Sequence, residues 1–152
     1  LKDGKELATA IQITATAFVA KLDKGGFPYI LHCLTVMERV GKITQKNSIA
    51  MQIAVMHDLL EDIPEWTKER LRNAGFCEEV IAGVVRMTHQ PGESYQDYIE
   101  RITECPMCII IKMCDLKHNM DPTRMKGIRE KDKTRTVKYL EAYHYLDNIR
   151  SK

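Results

Sequence analysis

Apolar residues recur along this chain at helical spacing, broken by short polar punctuation. Ile49, Ile53, Met56 and Leu60 fall at i, i+4, i+7 and i+11, one apolar helical face. Tyr95, Tyr98, Ile99 and Ile102 repeat the pattern behind Ser94, a residue suited to cap a helix. Val137, Leu140 and Tyr143 predict the apolar face of a last helix running from about Glu130 toward the C-terminus. Breakers separate the segments. Lys24-Gly25-Gly26-Phe27-Pro28 is expected to end the first helix, Gly41 the second, and Asp62-Ile63-Pro64 the third. Asn73-Ala74-Gly75, Gln90-Pro91-Gly92 and Asp121-Pro122 mark later turns. Cys108 to Cys114 is β-branched enough to pass for a strand, but no other segment alternates to pair with it, so it reads as helix. The expectation is an all-α fold of about five to seven helices, one domain over residues 1–152.

Composition narrows the class. The 152 residues are 44% hydrophobic and 29% charged, an ordinary globular balance with enough chain to bury a core. No apolar run approaches the roughly 20 residues of a membrane span, and the chain opens without a signal-peptide pattern. With 23 basic against 21 acidic residues, the net charge of +2 argues against a nucleic-acid groove. Five cysteines, an odd number, suit a reducing compartment, so the cytoplasm is expected.

The chemistry concentrates in His57-Asp58-Leu59-Leu60-Glu61-Asp62, which follows the apolar run Ile53-Ala54-Val55-Met56. Read as continuous helix, it sets His57 over Glu61 and Asp58 over Asp62. A solvated helix end would also carry such a cluster, although acids at a helix C-terminus oppose the macrodipole. Two residues elsewhere strengthen the functional reading. His32 sits on a mostly apolar segment, where a satisfied core histidine is the commoner case. Asp115 follows Ile109-Ile110-Ile111 closely, and burying a carboxylate is costly unless it is paired or binds metal. Two imidazoles and two carboxylates form a mixed N/O ligand set suited to Mn²⁺, Fe²⁺ or a similar ion.

An isolated His, a His-Asp pair and a distant Asp, in that order, resemble the ligand pattern of the HD-domain metal-dependent phosphohydrolases. Within that superfamily the chain resembles the hydrolase domain of RelA/SpoT-type enzymes and their small stand-alone relatives. The stretches that carry the resemblance are Gly26 to His32, His57 to Asp62, Gly92 to Ile99, and Lys112 to Arg124. It implies an all-helical fold around a central metal and removal of the 3′-pyrophosphate from guanosine tetra- and pentaphosphate. His32, His57, Asp58 and Asp115 are then the metal ligands, with Mn²⁺ the expected ion. Glu61 and Asp62 are implied to orient and deprotonate the attacking water, and Lys24, Asn119, Arg135 and Tyr139 to contact the nucleotide. Two positions depart from the pattern: Asp23 stands where the relatives carry a base-stacking Arg, and Cys33 replaces a Pro. Asp23 keeps open a different nucleotide or phosphoester substrate. A nucleotide-sensing module without turnover is a third reading, which intact ligands and the Glu61-Asp62 pair argue against.

Other signals carry less. Cys105-Pro106-Met107-Cys108 lacks the second pair that structural zinc needs and the βαβ setting of a redox motif. His89 and His118 are spare imidazoles; His118, beside Asn119 on a helix, is expected to point away from the site. His144 reads as packing. Lys126 to Arg135 is a basic stretch with one edge available to phosphate, and no glycine-rich phosphate loop is present.

Overall fold

The structure, a computed structural model, describes residues 4–152. It is all-helical, as expected, with nine α-helices and one 3₁₀ turn among the described residues rather than five to seven. They are α1 (Lys5–Ala17), α2 (Ile30–Ile43), α3 (Ser48–Val55), α4 (Leu59–Asp62), α5 (Lys68–Asn73), α6 (Glu78–Met87), α7 (Tyr95–Ile102), α8 (Pro106–Asn119) and α9 (Glu130–Arg150), with the 3₁₀ turn at Pro122–Arg124. The excess comes from α4 and α5, of four and six residues. Segments that short do not develop a periodicity legible in sequence. No helix of the described residues is long and apolar enough to cross a membrane.

α3 is the hub. It packs against α1, α2, α6 and α8, and Ala50, Gln52, Ile53, Ala54 and Val55 are all buried. A helix covered on several sides needs no amphipathic stripe, so its apolar run is continuous. Where α6 crosses α3, a Cβ on Gly83 would lie 2.3 Å from Ile53 Cδ1, so only glycine permits this approach. α2 and α8 pack together beside α3, and α9 lies along α8.

The local signals hold in part. Ser94 caps α7 as expected, its side chain accepting from Asp97 N–H, and Asn47, not singled out in the sequence, does the same for α3 at Ala50 N–H. Cys108 to Cys114 lies inside α8. Three boundaries differ. α1 ends at Ala17, well before the Lys24–Pro28 turn, because Phe18 turns into the core at 1% exposure. α2 passes through Gly41 to Ile43, and the chain turns instead at Gln45 and Lys46, both at positive φ; Gly41 makes room for Met51. The expected third helix is broken in the middle, α3 stopping at Val55 and α4 starting at Leu59.

The face of α9 also differs. Val137 and Leu140 are exposed at 58% and 47%, while the buried residues of this helix are Asp132, Ala142 and Leu146. Asp132 is tolerated inside because it accepts hydrogen bonds from Arg129 N–H and the Arg135 guanidinium.

Candidate metal centre

The break between α3 and α4 places His57 and Asp58. Past Val55 the backbone tightens to i→i−3 bonds, His57 N–H to Ala54 O and Leu59 N–H to Met56 O. His57 and Asp58 therefore sit in a turn, not four residues over Glu61 and Asp62 on one continuous helix. The turn aims both side chains at α2 and α8, which contribute His32 and Asp115. His57 Nε2 lies 3.0 Å from Asp58 Oδ2 and 3.2 Å from Asp115 Oδ1. His32 Nε2 is 3.1 Å from the same Asp115 oxygen and 3.8 Å from Asp58 Oδ2. One ligand atom from each of the four residues falls within 4.8 Å of all the others.

This arrangement fits a cation. His57 Nδ1 is held 2.7 Å from Ala54 O, so that nitrogen carries its proton and Nε2 faces the carboxylates. His32 Nε2 is buried and makes no hydrogen bond. Burial alone would raise Asp58 and Asp115. The His57 charge, joined for Asp115 by the larger effect of Lys112, instead holds both below the ordinary carboxylate range. The two carboxylates in turn push His57 upward against its burial. Two imidazole nitrogens and two carboxylate oxygens crowded together want positive charge among them. A divalent ion satisfies all four at once, including the orphaned His32 nitrogen.

Tyr29 and Lys112, which sequence reasoning missed, hold the four in place together with Asn119, which the resemblance assigns to the nucleotide instead. The Tyr29 hydroxyl donates to Asp58 Oδ2, and burial keeps that phenol protonated, its pKa raised. Lys112 Nζ, almost fully buried, donates to Asp115 Oδ2 at 2.9 Å, and Asn119 Nδ2 donates to Asp115 Oδ1 at 2.9 Å. The spacing of Lys112 three residues before Asp115 inside an apolar helix was an available signal. His118, expected to point away, instead places Nδ1 2.7 Å from His32 Nδ1. His118 lies three residues after Asp115 on α8, and residues at that spacing share a helix face. Burial, with Arg124 and His32 adding, pushes His118 down to about 4.

Beside the cluster opens a cavity of about 290 Å³. Lys24, Asn119, and Arg135 with Tyr139, from three separate segments of the chain, all line it, together with Lys21 and Arg124, which the sequence did not single out. Tyr29 and Asn119 line the cavity and hydrogen-bond to Asp58 and Asp115 of the cluster, so the two adjoin in one site. Asp132 braces the basic wall, within 3.7 Å of Lys24 Nζ and bonded to Arg135. Asp23 is not a bare negative charge facing the cavity. Its Oδ1 accepts from Gly25 N–H and Phe27 N–H, and its Oδ2 lies 3.4 Å from Arg124. Burial would raise its carboxyl, but these contacts together lower it.

Glu61 and Asp62 are set apart by their partners. Glu61 Oε1 accepts from His89 N–H at 2.8 Å. Desolvation raises its carboxyl, that hydrogen bond opposes, and the Asp58 charge adds to the rise. Asp62 Oδ2 pairs with Lys21 Nζ at 2.6 Å, and the ammonium lies 3.9 Å from the centre of the Tyr29 ring. Cys105 Sγ only accepts from Cys108 N–H at the start of α8, and Cys108 is buried. His144 is exposed and meets the edge of Tyr143.

No protein-family model matches the chain, and a search of curated proteins returns no match. Among solved structures, the chain superposes with a TM-score of 0.78 on a metazoan ortholog of SpoT, which hydrolyses ppGpp and plays a role in starvation responses. The two share a fold. The match covers 99% of this chain and 88% of that one at 17% identity. At that identity the likeness is one of fold alone, and the His32, His57, Asp58 and Asp115 cluster supplies the chemistry independently.

Proposed function

We propose that this chain is a divalent-metal-dependent phosphohydrolase that removes pyrophosphate from the 3′ position of guanosine tetra- and pentaphosphate. The observation that carries the reading is that the four-ligand cluster adjoins a cationic cavity in which all four expected nucleotide contacts meet. His32, His57, Asp58 and Asp115 would hold the ion, with Mn²⁺ the ion best suited to that N/O set. A bound divalent ion acidifies water and polarises phosphoryl oxygens.

The remaining work belongs to the chain's own groups. Lys24, Arg124 and Arg135 offset charge on the diphosphate. Asn119 offers its amide to the sugar while keeping Asp115 in register, and the Tyr139 ring gives the nucleotide a flat apolar wall. Glu61 accepts the proton of the attacking water at its carboxylate. Its raised pKa suits it to accept that proton. Asp62 holds Lys21 over Tyr29 and so presents an ammonium to the phosphate. No covalent nucleophile is needed.

A second reading keeps the ion and changes the substrate to another nucleotide or phosphoester. Asp23 favours it, because it stands where the relatives carry a base-stacking Arg, and a carboxylate held by Gly25 N–H, Phe27 N–H and Arg124 cannot stack on a guanine. The deciding experiment incubates the purified chain with Mn²⁺ and a panel of nucleotides, and follows pyrophosphate release. Turnover of guanosine tetraphosphate well above that of GTP or ATP supports the first reading. Release of phosphate from other members alone supports the second. No turnover of any member, with Mn²⁺ bound, would leave a nucleotide sensor.

A further inference from the structure

A second cavity, of about 380 Å³, opens between α2, α8 and α9, on a different face of α8 from the metal cluster. Arg39, Lys42, Lys117 and Arg150 line it, and no acid does. Such convergence is unusual in a chain whose charges nearly balance. The arginines make the point sharply. Of the nine in the sequence, seven make a hydrogen bond or ion pair: Arg70, Arg72, Arg86, Arg101, Arg124, Arg129 and Arg135. Only Arg39 and Arg150 make neither among the described residues, and both line this one cavity. Among the described residues Lys117 is also unpaired, and Lys42 has only an exposed i, i+4 contact with Glu38. Gathering like charges is unfavourable without a counter-charge, and two free guanidinium forks are suited to bidentate capture of oxyanions.

The floor is not polar. Ile43, Met113 and Tyr143 line it, with Ile43 45% exposed and the Tyr143 ring half-buried. An inorganic anion would leave that surface wet, whereas a ligand with an apolar body would cover it. We propose that this cavity is a second binding site for a small organic polyphosphate of the nucleoside di- or triphosphate class. Phosphates would lie on Arg39, Lys117 and Arg150, and the base against Tyr143 and Ile43. Met113 and Lys117 face this cavity from α8 while Asp115 of the same helix faces the metal cluster. A ligand there therefore bears on the helix that carries a metal ligand. The inference does not depend on the catalytic reading, since it concerns other residues and needs no metal.

The test is an NMR titration of the full chain in EDTA, with GTP and inorganic triphosphate as separate probes. GTP is expected to shift the resonances of Ile43, Met113 and Tyr143 saturably, tighter than about 1 mM, with triphosphate weaker by several-fold. In Arg39→Gln/Arg150→Gln these shifts should weaken at least tenfold while those of Asn119 and Tyr139 persist. Arg124→Gln/Arg135→Gln should show the reverse. Thermal melts check that the variants are folded, and Arg39→Lys/Arg150→Lys, which keeps the charge, should recover part of the affinity. Shifts at Ile43 and Tyr143 that survive Arg39→Gln/Arg150→Gln would overturn the site. Equal affinity for triphosphate and GTP would overturn the organic ligand, as would binding of an oligoglutamate peptide in place of GTP.

Discussion

His118 backs His32 from outside the proposed metal cluster, with Nδ1 atoms 2.7 Å apart and rings 12° from parallel. One proton serves both nitrogens. For His32 to present a lone pair at Nε2, its Nδ1 must carry that proton and donate it to His118. Outer partners of this kind fix the ring and tautomer of a ligating histidine, and losing one typically costs 10–100-fold in metal affinity. His118→Ala is therefore expected to weaken Mn²⁺ binding by about that factor in calorimetry. His118→Gln, whose amide oxygen still accepts, should recover part of it. His57→Ala serves as reference, because it removes a ligand outright and should abolish binding. Unchanged affinity in His118→Ala alongside loss in His57→Ala would show that His32 is oriented by packing.

The α3–α6 crossing gives a prediction about stability that is independent of function. A methyl on Gly83 would stand 2.3 Å from Ile53 Cδ1 and 2.8 Å from Cγ1. Helix propensity favours alanine by about 1 kcal/mol, but overpacking a closed core typically costs about 1–3 kcal/mol. With Ile53 itself fully buried, the side chain has nowhere to swing. Gly83→Ala should lower stability, and Ile53→Ala, which removes Cδ1 and both γ carbons, should relieve the clash. Urea denaturation of the double mutant is expected to show less destabilisation than the sum of the singles. Strict additivity would mean that the crossing has slack.

Glu93 makes stability depend on acid. Its carboxylate accepts from Arg101 Nε at 2.7 Å, from Arg101 Nη2 at 2.9 Å and from Gln90 N–H at 3.1 Å. The Arg101 hydrogen bonds take the lead in lowering its pKa from 4.5 to about 2. A depressed folded-state pKa contributes stability that is fully present above the unfolded value and lost as pH falls through the folded one. Glu93→Gln should thus be less stable than the parent near neutrality. The gap should narrow between about pH 4.5 and about pH 2 in denaturation curves. A gap that stays constant across that window would mean that Glu93 gains nothing from its charge.

What the sequence revealed follows from how each residue makes its contacts. Asp115 and His57 stand out because a polar residue in or just after an apolar run needs a local reason, and so the clustered residues were legible. The turn that aims His57 and Asp58 was not, since hydrophobic periodicity does not register a change from i−4 to i−3 bonding over three residues. Lys21 and Asp62 are 41 residues apart and joined only by tertiary packing, so nothing local announces their pair. α9 misled for the opposite reason. Val137 and Leu140 satisfy a helical face that the fold leaves in solvent, while a charged residue, Asp132, is buried because Arg129 and Arg135 satisfy it.

Glu61 and Asp62 are adjacent carboxylates, and their contacts predict that they fail differently. Glu61 is anchored by the His89 N–H and raised by desolvation, as a proton acceptor should be. Glu61→Gln keeps its shape and one acceptor oxygen but cannot take a proton. It should retain Mn²⁺ and nucleotide affinity while kcat falls on the order of 10²–10⁴-fold. Asp62 is committed to Lys21. Asp62→Asn weakens that pair and frees the ammonium to leave the Tyr29 ring, so the first effect should be on KM. Lys21→Met should give the same KM defect, and adding Asp62→Asn to it should cost little more, since both act through one contact. Steady-state kinetics of the four variants, with Mn²⁺ content checked by elemental analysis, separates the cases. Full activity in Glu61→Gln would reduce this pair to a solvated helix end. Loss of metal in the same variant would make Glu61 a ligand. A kcat defect in Asp62→Asn that Lys21→Met does not reproduce would move the proton acceptor to Asp62.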